Sequence, residues 1–169
     1  MASGFSQGAS MVWYAACFLG DRFAAFAPVA GDFWEPPPEN CPSGPASIRH
    51  IHGLADETFP IKGRAVAEHY HQGDLWQGWA LWRRTDGCAA LPDRTNTVEE
   101  MTCQTWAARS CSSGRELVLC LHAGGHRFDA EWLRESFRWA TALVPPAMTP
   151  RSSEPAIQKG VAPRHPSAD

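Results

Sequence analysis

The feature that most constrains this chain is a serine framed by two glycines near its start, Gly4-Phe5-Ser6-Gln7-Gly8. The pattern G-x-S-x-G is typical of a nucleophile elbow, a sharp turn from a strand into a helix that exposes the serine hydroxyl above a parallel sheet. Glycine permits the close approach that such a turn needs. Apolar residues recur at helical spacing over 9–19, directly after the turn. These residues therefore predict a strand, a turn and a helix, and with them an α/β fold.

Strand-like and helix-like segments continue to alternate along the chain, as in a parallel sheet with flanking helices. Short apolar runs over 23–31 and 48–53 are typical of buried parallel strands. Segments 101–107 and 116–122 flank a Cys-Ser-Ser-Gly turn, which predicts a hairpin or two neighbouring strands. Helices are expected over 62–70, over 75–83, and from an N-cap at Asp129 through 143.

Irregular segments separate these elements and end the chain. Residues 32–46 contain five prolines and residues 85–96 are polar, so both are expected to be loops. Towards the C-terminus the composition becomes rich in Pro, Ser and Ala without periodicity, which is typical of disorder. We therefore expect one α/β domain over 1–146, followed by a disordered tail over 147–169.

The charge balance and motif content argue against several partners. Fifteen Lys and Arg against eighteen Asp and Glu give a net charge of −3, with no basic cluster for nucleic acid. No apolar run approaches the ~20 residues of a membrane span, and no signal peptide follows Met1. No His or Cys spacing is typical of a zinc site, so neither a metal nor another cofactor is expected.

The six cysteines are even in number and include no C-x-x-C, which indicates disulfides and an oxidising compartment. If Trp106 faces Leu117 across a hairpin, Cys103 lies opposite Cys120, close enough for a bridge. The remaining pairs would then be Cys88–Cys111 and Cys17–Cys41. Because six cysteines allow 15 connectivities, this pairing is a hypothesis.

Three polar residues follow the ends of predicted strands in the order serine, aspartate, histidine: Ser6, Asp56 and His126. Ligands of open parallel sheets bind at the carboxyl ends of the strands, so these side chains are expected to converge. A serine nucleophile needs a base to take its proton, and the base needs an acid to orient it. The sequence thus predicts Ser6 as nucleophile, His126 as base and Asp56 as acid.

Alternatives remain for each role. Glu57 is the other candidate acid, Asp56 itself could serve only its local turn, and His122 is the other candidate base. The other histidines are interpreted as core, solvated or tail residues: His50, His52, His69, His71 and His165.

Two further features bear on a binding cleft. The backbone N–H of Gln7 follows the nucleophile and is the natural first donor of an oxyanion hole. Trp76, Trp79 and Trp82 lie on one side of a predicted helix. They could line an aromatic or acyl pocket, although core packing is the simpler interpretation.

Four motifs in order resemble the polyhydroxybutyrate depolymerase and feruloyl-esterase-like branch of the α/β-hydrolases. They are Gly4-Phe5-Ser6-Gln7-Gly8-Ala9-Ser10-Met11, the stretch 21–31 (DRFAAFAPVAG), His50-Ile51-His52-Gly53-Leu54-Ala55-Asp56 and Leu121-His122-Ala123-Gly124-Gly125-His126. The motifs run from residue 4 to residue 126, and the resemblance extends to about residue 143, nearly all of the chain expected to be ordered.

The resemblance implies a secreted or periplasmic serine esterase acting on short-chain polyhydroxyalkanoate oligomers, other small or polymeric esters, or aryl esters such as feruloyl esters. By motif matching it also assigns Ser6, Asp56 and His126 to the triad. The pattern departs from the family in two places. Members carry earlier strands and a glycine-rich oxyanion loop before the elbow, so this chain corresponds to a truncated hydrolase that starts at the elbow. An aromatic residue and a proline often follow the catalytic histidine, where Arg127-Phe128 stands here.

We therefore expect this chain to hydrolyse esters weakly or not at all. The alternatives are an inactive hydrolase fragment and a non-catalytic polymer- or carbohydrate-binding module with a tryptophan-rich surface.

Overall fold

A six-stranded mixed sheet with helices on both faces forms the centre of the computed structural model, which describes residues 1–144. The expected tail at 147–169, with His165, lies outside the described residues. In chain order the elements are β1 (Ala2–Phe5), α1 (Gln7–Leu19), β2 (Phe26–Val29), β3 (Ile48–Gly53), β4 (Ala65–Ala67), β5 (Tyr70–His71), α2 (Leu75–Asp86), β6 (Arg94–Val98), β7 (Met101–Trp106), β8 (Leu117–His122) and α3 (Ala130–Ala142).

The strand order is β1-β2-β3-β8-β7-β6. The first four strands in this order are parallel, and β7 and β6 extend the sheet as an antiparallel hairpin. The expected parallel sheet with flanking helices is therefore present, with an antiparallel addition at one side. Because β1, β3 and β8 are parallel, the residues that follow them emerge at the same edge.

The larger core lies on the face covered by α1 and α2. Aromatic rings fill it, with the Trp13 ring 5.0 Å from Phe33 and 6.4 Å from both Trp79 and Trp82. On the opposite face, a smaller cluster packs under α3: Val29, Ala30, Ile51, Val118, Cys120 and Trp132. Side chains alternate between these faces along each strand, so β3 sends Ile48 to the first core and Ile51 to the second.

Helices α2 and α3 begin at aspartates that cap them, and α2 also ends at a glycine cap. The Asp129 carboxylate accepts a hydrogen bond from the backbone N–H of Glu131, as the predicted N-cap requires. Asp74 caps α2 in the same way through the N–H of Trp76. Gly87, with φ of 61°, ends α2 in the left-handed region that glycine tolerates.

The structure contradicts the predicted secondary structure or its limits in three segments. Residues 62–70 are not a helix, because Gly63 turns the chain with φ of 70° and the small hairpin β4–β5 follows. The expected loop 85–96 includes the end of α2 and the start of β6. Strand β6 escaped detection because its side chains are all exposed and only its backbone pairs with β7. The run 23–31 contributes only Phe26–Val29 as a strand, after a short 3₁₀ turn over Gly20–Arg22.

Three disulfides tie the elements together: Cys17–Cys41, Cys88–Cys111 and Cys103–Cys120. These are the pairs that the sequence hypothesis named. The hairpin argument for the last pair rests on register, and in the structure Trp106 pairs with Leu117 and Cys103 with Cys120. Within the described residues, no helix has the length and apolar character needed to cross a membrane.

Candidate active site

Ser6 occupies a strained turn between β1 and α1. Its φ of 56° and ψ of −123° are rare for a residue with a side chain. The turn is fixed from both sides, since the Ser6 N–H donates to the Val29 carbonyl at 2.9 Å and the Ser6 carbonyl accepts from the Ala9 N–H at 2.9 Å. The serine hydroxyl is thereby held at the carboxyl edge of the parallel strands.

Two glycines make this turn possible. A Cβ added to Gly4 would collide with the Gly8 carbonyl, and a Cβ added to Gly31 would collide with the Ser6 carbonyl. In contrast, a Cβ at Gly8 would meet nothing within 4 Å. The steric requirement therefore falls on the first motif glycine and on Gly31, which the motif does not include.

The Asp56 carboxylate is buried in the turn that follows β3, with its side chain 0% exposed. One oxygen, Oδ1, accepts hydrogen bonds from the backbone N–H groups of Thr58 at 2.9 Å and Phe59 at 2.8 Å. The other oxygen, Oδ2, lies 2.7 Å from Nδ1 of His126. The turn therefore presents one carboxylate oxygen to the histidine while the backbone holds the other.

His126 connects Asp56 to Ser6. Its Nε2 lies 2.9 Å from the Ser6 hydroxyl oxygen, on the opposite side of the ring from the Asp56 contact. Because an ionised carboxylate only accepts hydrogen bonds, Nδ1 carries the ring proton and Nε2 is free to accept from the Ser6 hydroxyl. The three predicted residues thus form one continuous hydrogen-bonded chain.

The loops that carry the acid and the histidine are joined to each other. The Leu54 N–H donates to the His122 carbonyl at 2.8 Å, and the Ala55 N–H donates to the Gly124 carbonyl at 3.1 Å. Gly53 allows this contact, because a Cβ there would collide with the Gly124 carbonyl. The Asp56 turn and the His126 loop therefore form one packed unit over the sheet edge.

Gln7 begins α1, so its backbone N–H has no partner within the helix. The N-terminus of a helix carries partial positive charge and favours developing negative charge nearby. The exposed Phe5 ring lies 4.7 Å from the His126 ring, and the exposed Phe128 ring lies 6.0 Å from Phe5. The surroundings of Ser6 thus combine a backbone donor with an apolar surface.

Other candidates from the sequence lie elsewhere. Glu57 is exposed, and the histidine pairs with Asp56 instead. His122 is buried, accepts from the Gly124 N–H at 3.1 Å and packs against the Trp132 ring. Trp79 and Trp82 belong to the core, whereas Trp76 is 40% exposed.

Two cavities lie apart from the triad. A cleft of about 460 Å³ separates the β6–β7 hairpin from α3, and its lining includes Arg49, Glu135 and Trp139. A more apolar hollow of about 660 Å³ lies between β1 and α3. Across residues 1–144, no group of three or more His, Cys, Asp or Glu side chains is arranged to hold a metal ion.

Two buried polar residues, Asp32 and His52, are not among the site residues predicted from the sequence. Asp32, directly after β2, is 1% exposed, and burial together with the charges of Asp74 and Glu35 raises its pKa to about 9. His52 is fully buried beside the Asp56 turn, with Nε2 3.7 Å from the Asp56 carboxylate. The one available signal for His52 was a second histidine two residues earlier on the same strand, His50, since alternate residues share a face.

Comparison with known proteins gives one distant similarity. No family model matches the chain. The chain is 31% identical over 163 residues to a protein named "Putative esterase NocK" from Nocardia uniformis subsp. tsuyamanensis, and the match covers 85% of this chain. The chain spans about half the length of that relative, since the match covers 45% of it.

Proposed function

We propose that this chain carries the catalytic residues of a serine-dependent carboxylic-ester hydrolase built on the α/β-hydrolase fold. The observation that carries the proposal is the hydrogen-bonded chain Asp56–His126–Ser6, with the serine on a strained strand-to-helix turn. The order of these residues and the turn are those of a nucleophile elbow and its partners. The similarity to a protein named as an esterase supports the same reaction class.

In the proposed acylation, the Ser6 oxygen attacks the ester carbonyl carbon while its proton moves to Nε2 of His126. The carbon–alkoxide bond then breaks, and the alcohol leaves with that proton. In deacylation, His126 takes a proton from water, the resulting hydroxide attacks the acyl-serine, and the acid is released as Ser6 recovers its proton. Asp56 stabilises the imidazolium and keeps its Nδ1 proton in place.

The developing oxyanion would lie at the start of α1. There the Gln7 backbone N–H supplies one donor and the helix N-terminus adds a favourable electrostatic potential. Such donors each contribute about 10²–10³ in kcat in acyl-transfer enzymes.

The proposed substrates are small or polymeric esters with apolar character, either short hydroxyalkanoate oligomers or aryl esters such as feruloyl esters. The exposed Phe5 ring beside His126, together with the exposed Phe128 ring beside Phe5, supports an apolar substrate surface. Three disulfides are typical of proteins from oxidising compartments, which supports a secreted or periplasmic location.

Covalent labelling by a serine-reactive phosphonate tests the proposal, because the probe needs an activated serine but no turnover. Peptide mapping should place the adduct on Ser6, and Ser6→Ala should abolish it. Ser10→Ala is the matched control on the same helix and should leave labelling intact. A folded wild-type chain that takes no label, or takes it equally in Ser6→Ala, would overturn the proposal.

A non-catalytic polymer-binding module is the alternative of a different class. It would need tryptophans on the surface, but Trp13, Trp79, Trp82, Trp106 and Trp132 are buried. Initial rates with p-nitrophenyl butyrate, a hydroxybutyrate trimer and methyl ferulate would discriminate among substrates. Retention on insoluble polyhydroxybutyrate or polysaccharide without Ser6 labelling would favour the binding module.

A further inference from the structure

A row of buried hydrogen bonds leads from α1 to the turn that holds Asp56. The indole N–H of Trp13 lies 3.2 Å from Nδ1 of His50. Nε2 of His50 lies 3.1 Å from Nδ1 of His52, and Nε2 of His52 lies 2.8 Å from the Phe59 carbonyl oxygen. Both imidazoles are 0% exposed, so no solvent contact competes with these bonds.

The two ends of the row fix the position of every proton in it. An indole N–H can only donate, so Nδ1 of His50 must be the acceptor and its proton must sit on Nε2. His50 then donates to Nδ1 of His52, which leaves the His52 proton on Nε2. That proton meets the Phe59 carbonyl, which can only accept. Both rings are therefore neutral Nε2–H tautomers, since another proton on either ring would face a donor.

The electrostatic surroundings agree with this assignment. Burial lowers the pKa of His50 well below its ordinary value, and the neighbouring His52 acts in the same direction. Burial also lowers the pKa of His52. The titratable groups that face His52 are His50, Asp56, His122 and His126, of which only the Asp56 carboxylate favours a charged ring.

The far end of the row holds the catalytic carboxylate in place. Phe59 accepts from His52 through its carbonyl and donates through its N–H to Oδ1 of Asp56 at 2.8 Å. We propose that His52 is a positioning residue: its neutral Nε2–H tautomer, imposed by Trp13 through His50, anchors the Phe59 backbone through the carbonyl group, and the N–H of the same residue then aims the Asp56 carboxylate at His126. This inference rests on the proposed function, since it assigns the row a role in the same reaction.

Two amide variants test the two hydrogen bonds of the His52 ring separately. In His52→Asn the side chain still reaches His50 but falls short of the Phe59 carbonyl. In His52→Gln the amide nitrogen reaches the position of Nε2 and still donates to Phe59. Each variant loses one buried hydrogen bond, so both should lower the melting temperature to a similar extent.

The rates of Ser6 labelling and of ester hydrolysis should separate the variants. His52→Asn should slow both by about tenfold to a hundredfold, the range that one lost buried hydrogen bond supports, whereas His52→Gln should stay within about threefold of wild type. With Asp56→Asn already present, His52→Asn should have no further effect, because a residue that acts through Asp56 is not additive with it. Trp139→Phe, which removes a hydrogen bond to Glu116 under α3, is the control away from the triad.

A wild-type rate in His52→Asn, or an equal loss with and without Asp56→Asn, would overturn the inference. A second measurement does not depend on activity. Imidazole ¹⁵N spectra should show both histidines as Nε2–H tautomers, and hydrogen exchange at the Thr58 and Phe59 amides should accelerate in His52→Asn but not in His52→Gln. A His52 proton on Nδ1, or unchanged amide exchange at Thr58 and Phe59 in His52→Asn, would refute the positioning role. These two measurements do not use the Ser6 label, so they test the role separately from the proposed function.

Discussion

The two halves of the sheet are held together in different ways. The half formed by β1, β2, β3 and β8 is parallel, and buried polar groups such as His50, His52 and Asp56 lie within it or at its edge. The half formed by β7 and β6 is antiparallel, and β6 exposes every side chain. Two disulfides, Cys88–Cys111 and Cys103–Cys120, secure this second half.

This difference fits the proposed function. A reactive site needs side chains held to within fractions of an ångström, which buried and fully paired hydrogen bonds provide. The exposed strand β6 buries little apolar surface, and disulfides beside it constrain the chain covalently. Changes in the parallel half should therefore affect chemistry most, whereas changes in the antiparallel half should affect stability.

The largest expected effect is on chemistry in the parallel half. Asp56→Asn should lower the rate of Ser6 labelling and any ester hydrolysis by about 10³–10⁴, because the amide favours the wrong histidine tautomer. Pseudo-first-order labelling kinetics measure the change, and circular dichroism checks that the fold persists. A loss of less than about tenfold would show that the acid is not part of the machinery, and the contrast between the halves would disappear.

The next effect is on stability in the antiparallel half. Replacing Cys103 and Cys120 by serine opens a loop of sequence separation 17 and should lower the free energy of unfolding by about 3 kcal/mol. Urea denaturation measures this loss. The Ser6 labelling rate of the folded variant should match wild type, whereas a parallel drop in labelling would mean that the halves are mechanically coupled.

A third effect concerns how stability depends on pH, through the buried carboxyl of Asp32. Its pKa is raised to about 9 mainly by burial, so the folded chain keeps a proton that the unfolded chain releases above its ordinary pKa of 3.8. This proton's contribution to the free energy of unfolding is complete below pH 3.8 and is lost as the pH rises towards 9. The limiting slope is about 1.4 kcal/mol per pH unit.

The variant Asp32→Asn should therefore gain in melting temperature relative to wild type between pH 5 and 8, with a difference that grows with pH. Asp86, whose burial raises its pKa to about 7, leaves a residual slope in the same direction in both proteins. A difference independent of pH would show that Asp32 is ionised in the folded chain.

The smallest expected effect is a gain in stability. Gly8→Ala should raise the free energy of unfolding by about 0.5–1 kcal/mol, because alanine is the better helix former and its Cβ has free space. Thermal denaturation measures the gain. A clear loss of stability would show that the second glycine of the motif has a steric role that its present neighbours do not explain.

The convergence of the three candidate residues could be predicted from chain order. Ser6, Asp56 and His126 each follow a strand, and parallel strands bring such positions to one edge whatever the details of packing. The position of Asp129 as a helix cap was also readable, because capping is local. The pairing of Cys103 with Cys120 followed from register within one hairpin.

Features that depend on contacts between distant parts of the chain could not be predicted from the sequence. The segment 62–70 was predicted as a helix, but its pairing as β4–β5 and its contact with the loop at Glu35 are tertiary interactions. The row through His50 and His52 exists because α1 places the Trp13 indole beneath β3, which no local pattern reveals. Strand β6 has no apolar alternation, so only its backbone pairing identifies it.

The close backbone contacts around the candidate site also give a criterion for recognising related sequences that keep it. A related sequence that keeps this site needs glycine at positions 4, 31 and 53. At each position a single methyl group would collide with a neighbouring backbone carbonyl. Position 8 is free of that restriction, so other residues can replace glycine there without a steric clash. A related chain with the serine, aspartate and histidine intact but alanine at the position of Gly31 would have to displace the Ser6 carbonyl, so it would not hold the serine in this turn.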